Sequence, residues 1–101
     1  MNKIFDELTD AETLKLNAER VGVPDHLIDG LVAYVAERRP TGDFLRAVLE
    51  NDLMEAFGRA DVDSALGMRH IATFLYNYVP KKCYGSPERV VAWLKQSEET
   101  A

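Results

Sequence analysis

Apolar residues recur at spacings of three and four along most of the chain, and no stretch alternates with a period of two for long enough to form a strand. The most regular stripe follows Asp43 and consists of Phe44, Leu45, Val48, Leu49, Leu53, Ala56 and Phe57. A second stripe consists of Leu27, Ile28, Leu31, Val32 and Val35. Each stripe predicts one buried helical face, so the pattern predicts an all-α fold.

Glycine and proline divide this pattern into about five short helices. The breaks lie, in chain order, at Gly22 with Pro24, at Pro40, at Gly58 with Asp61, and at Pro80. Thr9 begins the first helix with a capping box that includes Glu12, and Ser86 caps the fifth. The connections are short, so we expect one domain over residues 1–101, a compact bundle or orthogonal array. Residues 1–8 are a possible docking arm, and residues 96–101 a frayed tail.

The apolar stripes also predict a shared core and a few exposed aromatic side chains. The residues expected to be buried together are Leu31, Val35, Leu45, Leu49, Phe57, Ile71, Phe74, Leu75 and Leu94. Aromatic residues expected near the edges of the stripes are Tyr34, Phe44, Tyr76 and Trp93. Exposed aromatic patches often mark interfaces, so a homo-oligomer is possible.

Charge and cysteine content narrow the class of protein. The net charge is −5, from 17 acidic and 12 basic residues, which disfavours nonspecific nucleic-acid binding and adsorption to anionic membranes. The single cysteine, Cys83, permits no internal disulfide and favours a reducing compartment. The start of the chain lacks the apolar region of a signal peptide, and no apolar run approaches about 20 residues. We therefore expect a cytoplasmic protein without a membrane partner.

No residue set in the sequence indicates catalysis, a cofactor or a metal. Lys81 and Lys82 precede Cys83 and would lower the pKa of its thiol, but no histidine lies in the same segment to serve as its base. His26 and Asp29 have a spacing that metals use, yet further ligands are missing. We expect a partly exposed or packed cysteine, a surface histidine and no enzyme activity.

The loop from Pro80 to Pro87 is the first candidate site. Residues 80–95 carry a local charge of +3 in an acidic chain. A small anionic ligand would bind the following residues: Lys81, Lys82, Tyr84, Gly85, Ser86 and Arg89. Tyr84, with Tyr76 or Tyr78, could stack on a base. The alternative is a solvated loop in which Ser86 only caps a helix.

Asn51 and Asp52 form the second candidate site. Asp52 follows Val48 by four residues and Leu49 by three, so its carboxylate is expected on or beside the apolar stripe. A carboxylate in that position needs a partner or a helix N-terminus. The alternative is a structural role, in which Asp52 holds a loop or caps another helix.

Two stretches together carry a family resemblance. They are residues 42–53 with Ala60-Asp61, and Leu75-Tyr76-Asn77-Tyr78-Val79-Pro80 with Gly85-Ser86-Pro87-Glu88 and Trp93-Leu94. Over residues 24–94, this combination resembles a group of small helical proteins encoded by bacteriophages and prophages. The resemblance implies a phage setting in the host cytoplasm and no particular chemistry.

Two functions are compatible with these observations. The first is a non-enzymatic binding protein that contacts a host protein. The second is an oligomeric sponge that sequesters a nucleotide-type immune signal without cleaving it. A hydrolase that uses Asp52 and His70 is a third reading, which no pairing motif supports.

Overall fold

The computed structural model describes residues 10–100, and side chains through Lys95. The helices are α1 (Ala11–Val21), α2 (Asp25–Glu37), α3 (Asp43–Leu49), α4 (Leu53–Arg59), α5 (Val62–Leu66), α6 (Met68–Tyr78) and α7 (Pro87–Thr100), with a 3₁₀ turn at Lys81–Cys83. The predicted docking arm at residues 1–8 and the predicted Thr9 cap lie outside the described residues. So does Ala101 of the predicted tail, whereas α7 continues through Thr100.

The all-α class is confirmed, but the described residues form seven α-helices rather than about five. The predicted third helix is divided into α3 and α4 at Asn51, whose φ of 65° lies in the left-handed region. Asparagine tolerates this region better than most residues. The Asp52 side chain then accepts a hydrogen bond from the Glu55 backbone N–H at 3.2 Å and begins α4. A stripe of apolar residues that looks continuous in the sequence is therefore bent in the fold.

The predicted fourth helix is divided at Gly67, where the Pro24 ring leaves no room for a side chain. A Cβ atom on Gly67 would lie 2.4 Å from Pro24 Cγ. The Gly67 N–H donates to the Asp63 carbonyl and ends α5, while the Gly67 carbonyl accepts from the Ile71 N–H and begins α6. The connection between α1 and α2 thus packs directly on the junction of α5 and α6.

Short polar side chains begin four of the helices. Asp10 accepts from the Thr13 N–H at 3.2 Å, Asp52 begins α4, and Asp61 accepts from the Ser64 N–H at 2.7 Å. Ser86 Oγ accepts from the Arg89 N–H at 3.2 Å, so the predicted serine cap of α7 is present. These side chains satisfy N–H groups that have no partner within the helix.

The buried core agrees with the predicted set at most positions. Among the predicted residues, those now found buried are Leu31, Val35, Leu45, Leu49, Ile71, Phe74 and Leu75. Leu94 is partly buried against them. Phe57 was predicted in the core but is 46% exposed, because the break at Asn51 leaves Ala56 as the buried residue of α4.

The burial of the aromatic residues also differs from the prediction. Tyr34 and Trp93, predicted near exposed edges, are only 1% and 3% exposed. The Trp93 Nε1–H donates to the Tyr34 carbonyl at 2.9 Å, and the Tyr34 hydroxyl donates to the Cys83 carbonyl at 2.6 Å. These two bonds tie α2, the 3₁₀ turn and α7 together. Tyr76 is 72% exposed, and Phe44 is partly buried. Two of the four residues behind the oligomer prediction therefore belong to the core.

Helix packing places the two candidate regions side by side. Helix α1 packs on α2 and α6, α3 packs on α4 and α7, and α7 packs on the 3₁₀ turn.

The Cα radius of gyration is 12.8 Å, close to the roughly 13 Å expected for 100 residues in a compact domain. Within residues 10–100, no helix combines the length and apolar character that crossing a bilayer would require.

Candidate functional site

In the loop before α7, the backbone and the arginine side chain form hydrogen bonds within the fold. The Gly85 N–H donates to the Leu49 carbonyl at 2.7 Å, and Gly85 has a φ of +117°. A Cβ atom there would lie 3.0 Å from Arg89 Nη1. Arg89 Nη1 donates to the carbonyls of Lys81 and Tyr84, each at 3.3 Å. Gly85, Ser86 and Arg89 therefore hold the loop against α3 and α7.

The two lysines of the loop are exposed and lie near aromatic rings. Lys81 Nζ is 5.9 Å from the centroid of the Tyr76 ring, and Lys82 Nζ is 5.5 Å from the Trp93 ring. The Arg38 guanidinium lies on the same Trp93 ring at 3.9 Å. Arg38 thus joins Lys82 in one basic patch, a point that the sequence left open. None of Lys81, Lys82 and Arg38 lines the groove described below.

Cys83 is a core residue of the 3₁₀ turn. Its side chain is fully buried, and burial raises the pKa of the thiol to about 12. Lys82 and Arg38 lower the pKa, but their effect is smaller than that of burial. The neighbouring cations therefore do not activate this thiol, and of the two environments expected for the cysteine, partly exposed or packed, the packed one is present.

An open groove of about 520 Å³ lies between α4 and α6 and also reaches the turn after α3 and the loop before α7. Its volume lies in the range of small-molecule sites, roughly 300–1,000 Å³. Its apolar wall consists of Val48, Leu53, Ala56, Met68, Ala72 and Leu75. We call this cavity the α4–α6 groove.

Polar and aromatic side chains surround the α4–α6 groove. They are Asn51, Asp52, Thr73, Tyr76, Asn77 and Tyr84. Burial raises the pKa of the Tyr84 phenol above its ordinary value, and the neighbouring Tyr76 and Cys83 add to this effect. The groove thus joins Asn51 and Asp52 of the second predicted site with Tyr84 of the first. Lys81, Lys82, Gly85, Ser86 and Arg89 do not line it.

Large apolar side chains remain exposed on α4 and α5. On α4, Leu53, Met54 and Phe57 are 62%, 82% and 46% exposed, and their spacing places them on one helical face. On α5, Val62 and Leu66 are 74% and 77% exposed and lie one turn apart. We call these five residues the α4–α5 apolar face. Leu53 also lines the α4–α6 groove, so the face and the groove adjoin.

The same segment carries most of the net negative charge of the chain. Residues 50–66 contain five acidic residues and one basic residue, a net charge of −4 out of −5 in total. The basic residue, Arg59, is paired with Glu55 at 2.7 Å and with Asp43 at 3.4 Å. Hydrogen bonds from the Ser64 backbone and hydroxyl, followed by the charge on His26, lower the pKa of Asp61. The segment that carries the α4–α5 apolar face is therefore also acidic.

Neither histidine belongs to a metal-binding cluster in the described part of the chain. His26 Nε2 lies 3.2 Å from Ser64 Oγ and 3.5 Å from Asp61 Oδ2, at the start of α5. Within residues 10–95, no three His, Cys, Asp or Glu side chains are grouped so that they could hold a metal. His70 lies against Gly22 and is not among the residues of the α4–α6 groove, which Asp52 lines.

Sequence reasoning missed four residues of the α4–α6 groove on α6. Met68, Ala72, Thr73 and Asn77 carry no local motif, because the groove forms only when α6 meets the turn between α3 and α4. One signal for that turn was present. Asp52 followed by Glu55 matches the cap-then-acid spacing of a helix start, within a segment that was interpreted as continuous.

Comparison of the chain with protein-family models, with curated proteins and with solved structures found no match.

Proposed function

We propose that this chain is a non-enzymatic binding protein, encoded by a phage or prophage, that acts by contacting a host protein through the α4–α6 groove. The observation that carries the proposal is the continuity of the groove with the α4–α5 apolar face. Large contiguous apolar patches on a protein surface commonly mark sites of interaction. The phage or prophage origin rests on the sequence resemblance alone.

The alternatives to a binding role have less physical support. The buried thiol of Cys83 has a raised pKa and is a poor nucleophile. In contrast, the groove offers apolar area together with amide and hydroxyl groups that can orient a partner.

The direct test is a variant that fills the α4–α6 groove without disturbing the core. Ala72 is exposed and lines the groove, so Ala72→Arg places a long side chain where a partner would sit. Arginine is a good helix former, and the fold should be preserved. In a crosslinking experiment in the source bacterium, we expect wild-type protein to capture a host protein and the Ala72→Arg variant not to capture it. The variant should also lose the biological effect that the wild-type protein has on this bacterium.

Ala92 provides the matched control. It is also an exposed alanine within a helix, but it lies on α7 outside the groove. Ala92→Arg adds the same charge and the same volume, and we expect it to retain both capture and phenotype. If the two variants behave alike, the groove is not the binding surface.

A second candidate function is the sequestration of a nucleotide-type signal by an oligomeric sponge. The observation that favours it is the pairing of Tyr76 and Tyr84 on the groove, with Lys81 Nζ 5.9 Å from the Tyr76 ring. Tyrosine rings can stack on a base, and a nearby ammonium group can meet a phosphate. Cyclic dinucleotides should then raise the melting temperature of wild-type protein by several degrees, but not that of Tyr84→Ala. No shift with any tested nucleotide would remove this candidate.

A further inference from the structure

The α4–α5 apolar face and the surrounding charge together indicate the chemistry of a partner. Five large apolar side chains are exposed on two short helices, and the segment that contains them has a net charge of −4. Asp52 lines the groove, while Asp63 lies in the first turn of α5. An apolar surface on an acidic segment is complementary to an apolar surface that is accompanied by cations.

The shape of the site favours a helical segment. The groove lies between two helices and is open to solvent, as are surfaces that receive the apolar face of an amphipathic helix. A volume of about 520 Å³ accommodates a few anchor side chains of such a helix. The exposed residues of α4 then lie where the remaining apolar face of the helix would rest.

We infer that the α4–α6 groove and the α4–α5 apolar face dock an amphipathic helical segment of a partner protein, with lysine or arginine beside its apolar face. This inference rests on the proposed function of the same groove. The apolar anchors supply the contact area. The partner's cations are attracted to the carboxylates of residues 50–66, which accelerates association and orients the helix.

A second copy of this chain fits the same surface less well. An isologous dimer would bring two copies of the net −4 segment together at one interface. Like charges in contact are unfavourable and weaken such an interface. The charge of the segment therefore favours a basic partner over self-association.

The test uses two synthetic peptides and the isotope-labelled full chain. One peptide of about 14 residues places Leu at positions i, i+3, i+4 and i+7 and Lys elsewhere, and the other replaces every Lys with Glu. We expect the Lys peptide to bind at least about ten-fold more tightly than the Glu peptide at low salt. Amide NMR signals of Asn51, Ala72 and Asn77 should shift on binding, while those of Ala92 should not.

Variants separate the apolar contribution from the charge contribution. Ala72→Arg should weaken binding of the Lys peptide by about ten-fold or more, and Ala92→Arg by less than about two-fold. Asp52→Asn combined with Asp63→Asn removes two charges, and asparagine retains the ability of residue 52 to cap α4. This double variant should weaken binding several-fold at low salt and have little effect at high salt.

Each contrary result identifies a different error. If the Glu peptide binds as tightly as the Lys peptide while Ala72→Arg still loses the host protein, the proposed function holds and the basic partner is wrong. If Ala72→Arg retains the host protein, the proposed function itself fails. If sedimentation shows a dimer that Ala72→Arg dissociates and neither peptide binds, the occupant is a second copy. If a cyclic dinucleotide shifts the same amide signals and the Lys peptide does not, the groove is a nucleotide site.

Discussion

In residues 80–95, the cysteine and tryptophan are buried, and the N–H groups of Gly85 and Arg89 are bonded within the fold. In residues 50–66, five large apolar side chains are exposed, and Ala56 is the buried apolar residue. Both regions contain a site predicted from the sequence, residues 80–95 because of their cations and residues 50–66 because of the carboxylate of Asp52. Local charge and glycine therefore indicated a tightly held loop, whereas the exposed apolar surface lies where the apolar stripe is broken.

The largest expected effect comes from a matched pair of aromatic substitutions, one in each region. Trp93→Ala removes a buried ring and the donor to the Tyr34 carbonyl, so the free energy of unfolding should fall by about 3–5 kcal/mol. Phe57→Ala alters a half-exposed ring and should cost under about 1 kcal/mol. Urea denaturation measures both values. Equal losses would mean that Phe57 is held as firmly as Trp93, and the contrast between the regions would fail.

A pH effect should follow from the thiol in residues 80–95. Because burial raises the pKa of Cys83 to about 12, the unfolded chain loses this proton at a lower pH than the folded chain. The thiol's contribution to stability is fully present below its unfolded pKa and is lost as the pH rises toward about 12. Between pH 8.5 and 10, the free energy of unfolding should fall by about 1–2 kcal/mol more in wild-type protein than in Cys83→Ala. If urea denaturation gives parallel pH profiles for wild-type protein and Cys83→Ala, burial does not raise the pKa of the thiol.

The helix caps of the two regions should have similar, smaller effects. Ser86→Ala and Asp52→Ala each remove a side-chain acceptor at a helix start, and each should lower the free energy of unfolding by about 1 kcal/mol. Asp52→Asn retains a capping acceptor and should cost no more than a few tenths of a kcal/mol. Thermal unfolding measures all three. A loss with Asp52→Asn as large as with Asp52→Ala would indicate that the charge itself stabilises the turn.

The smallest effect on stability is expected for charge reversal in the basic loop. Lys81→Glu combined with Lys82→Glu removes two exposed cations near aromatic rings, which should cost at most about 0.5–1 kcal/mol. If the groove binds a host protein, this variant should retain capture in the crosslinking assay. If the chain is a nucleotide sponge, the same variant should lose the thermal shift with cyclic dinucleotides. The two results together show which of the two regions binds the partner or ligand.

The sequence predicts local features of this protein well where one residue determines the geometry. Pro40 and Pro80 follow the ends of α2 and α6, and Ser86 caps α7, because backbone constraints and short side chains act within one helical turn. The buried leucines of α2 and α3 also follow from their spacing. Phe57 does not, because its burial depends on the orientation of α4 after the break at Asn51.

The candidate site was only partly predictable for the same reason. Asn51, Asp52 and Tyr84 were singled out from the sequence, but for a carboxylate network and an anion loop rather than for a shared groove. Ala72 has no chemical signature, and it lines the groove only because α6 lies beside the turn between α3 and α4. Neither segment alone carries a sequence feature that predicts a contact between the two.

By itself, the sequence determined the helical class, most of the core and the starts of individual helices, since periodicity, capping and proline act over a few residues. The tertiary structure decided that Cys83 is buried, that the backbone of the basic loop is held internally, and that an apolar groove opens beside α4. Those outcomes depend on which segments pack against each other, because burial and cavity shape are properties of several segments together.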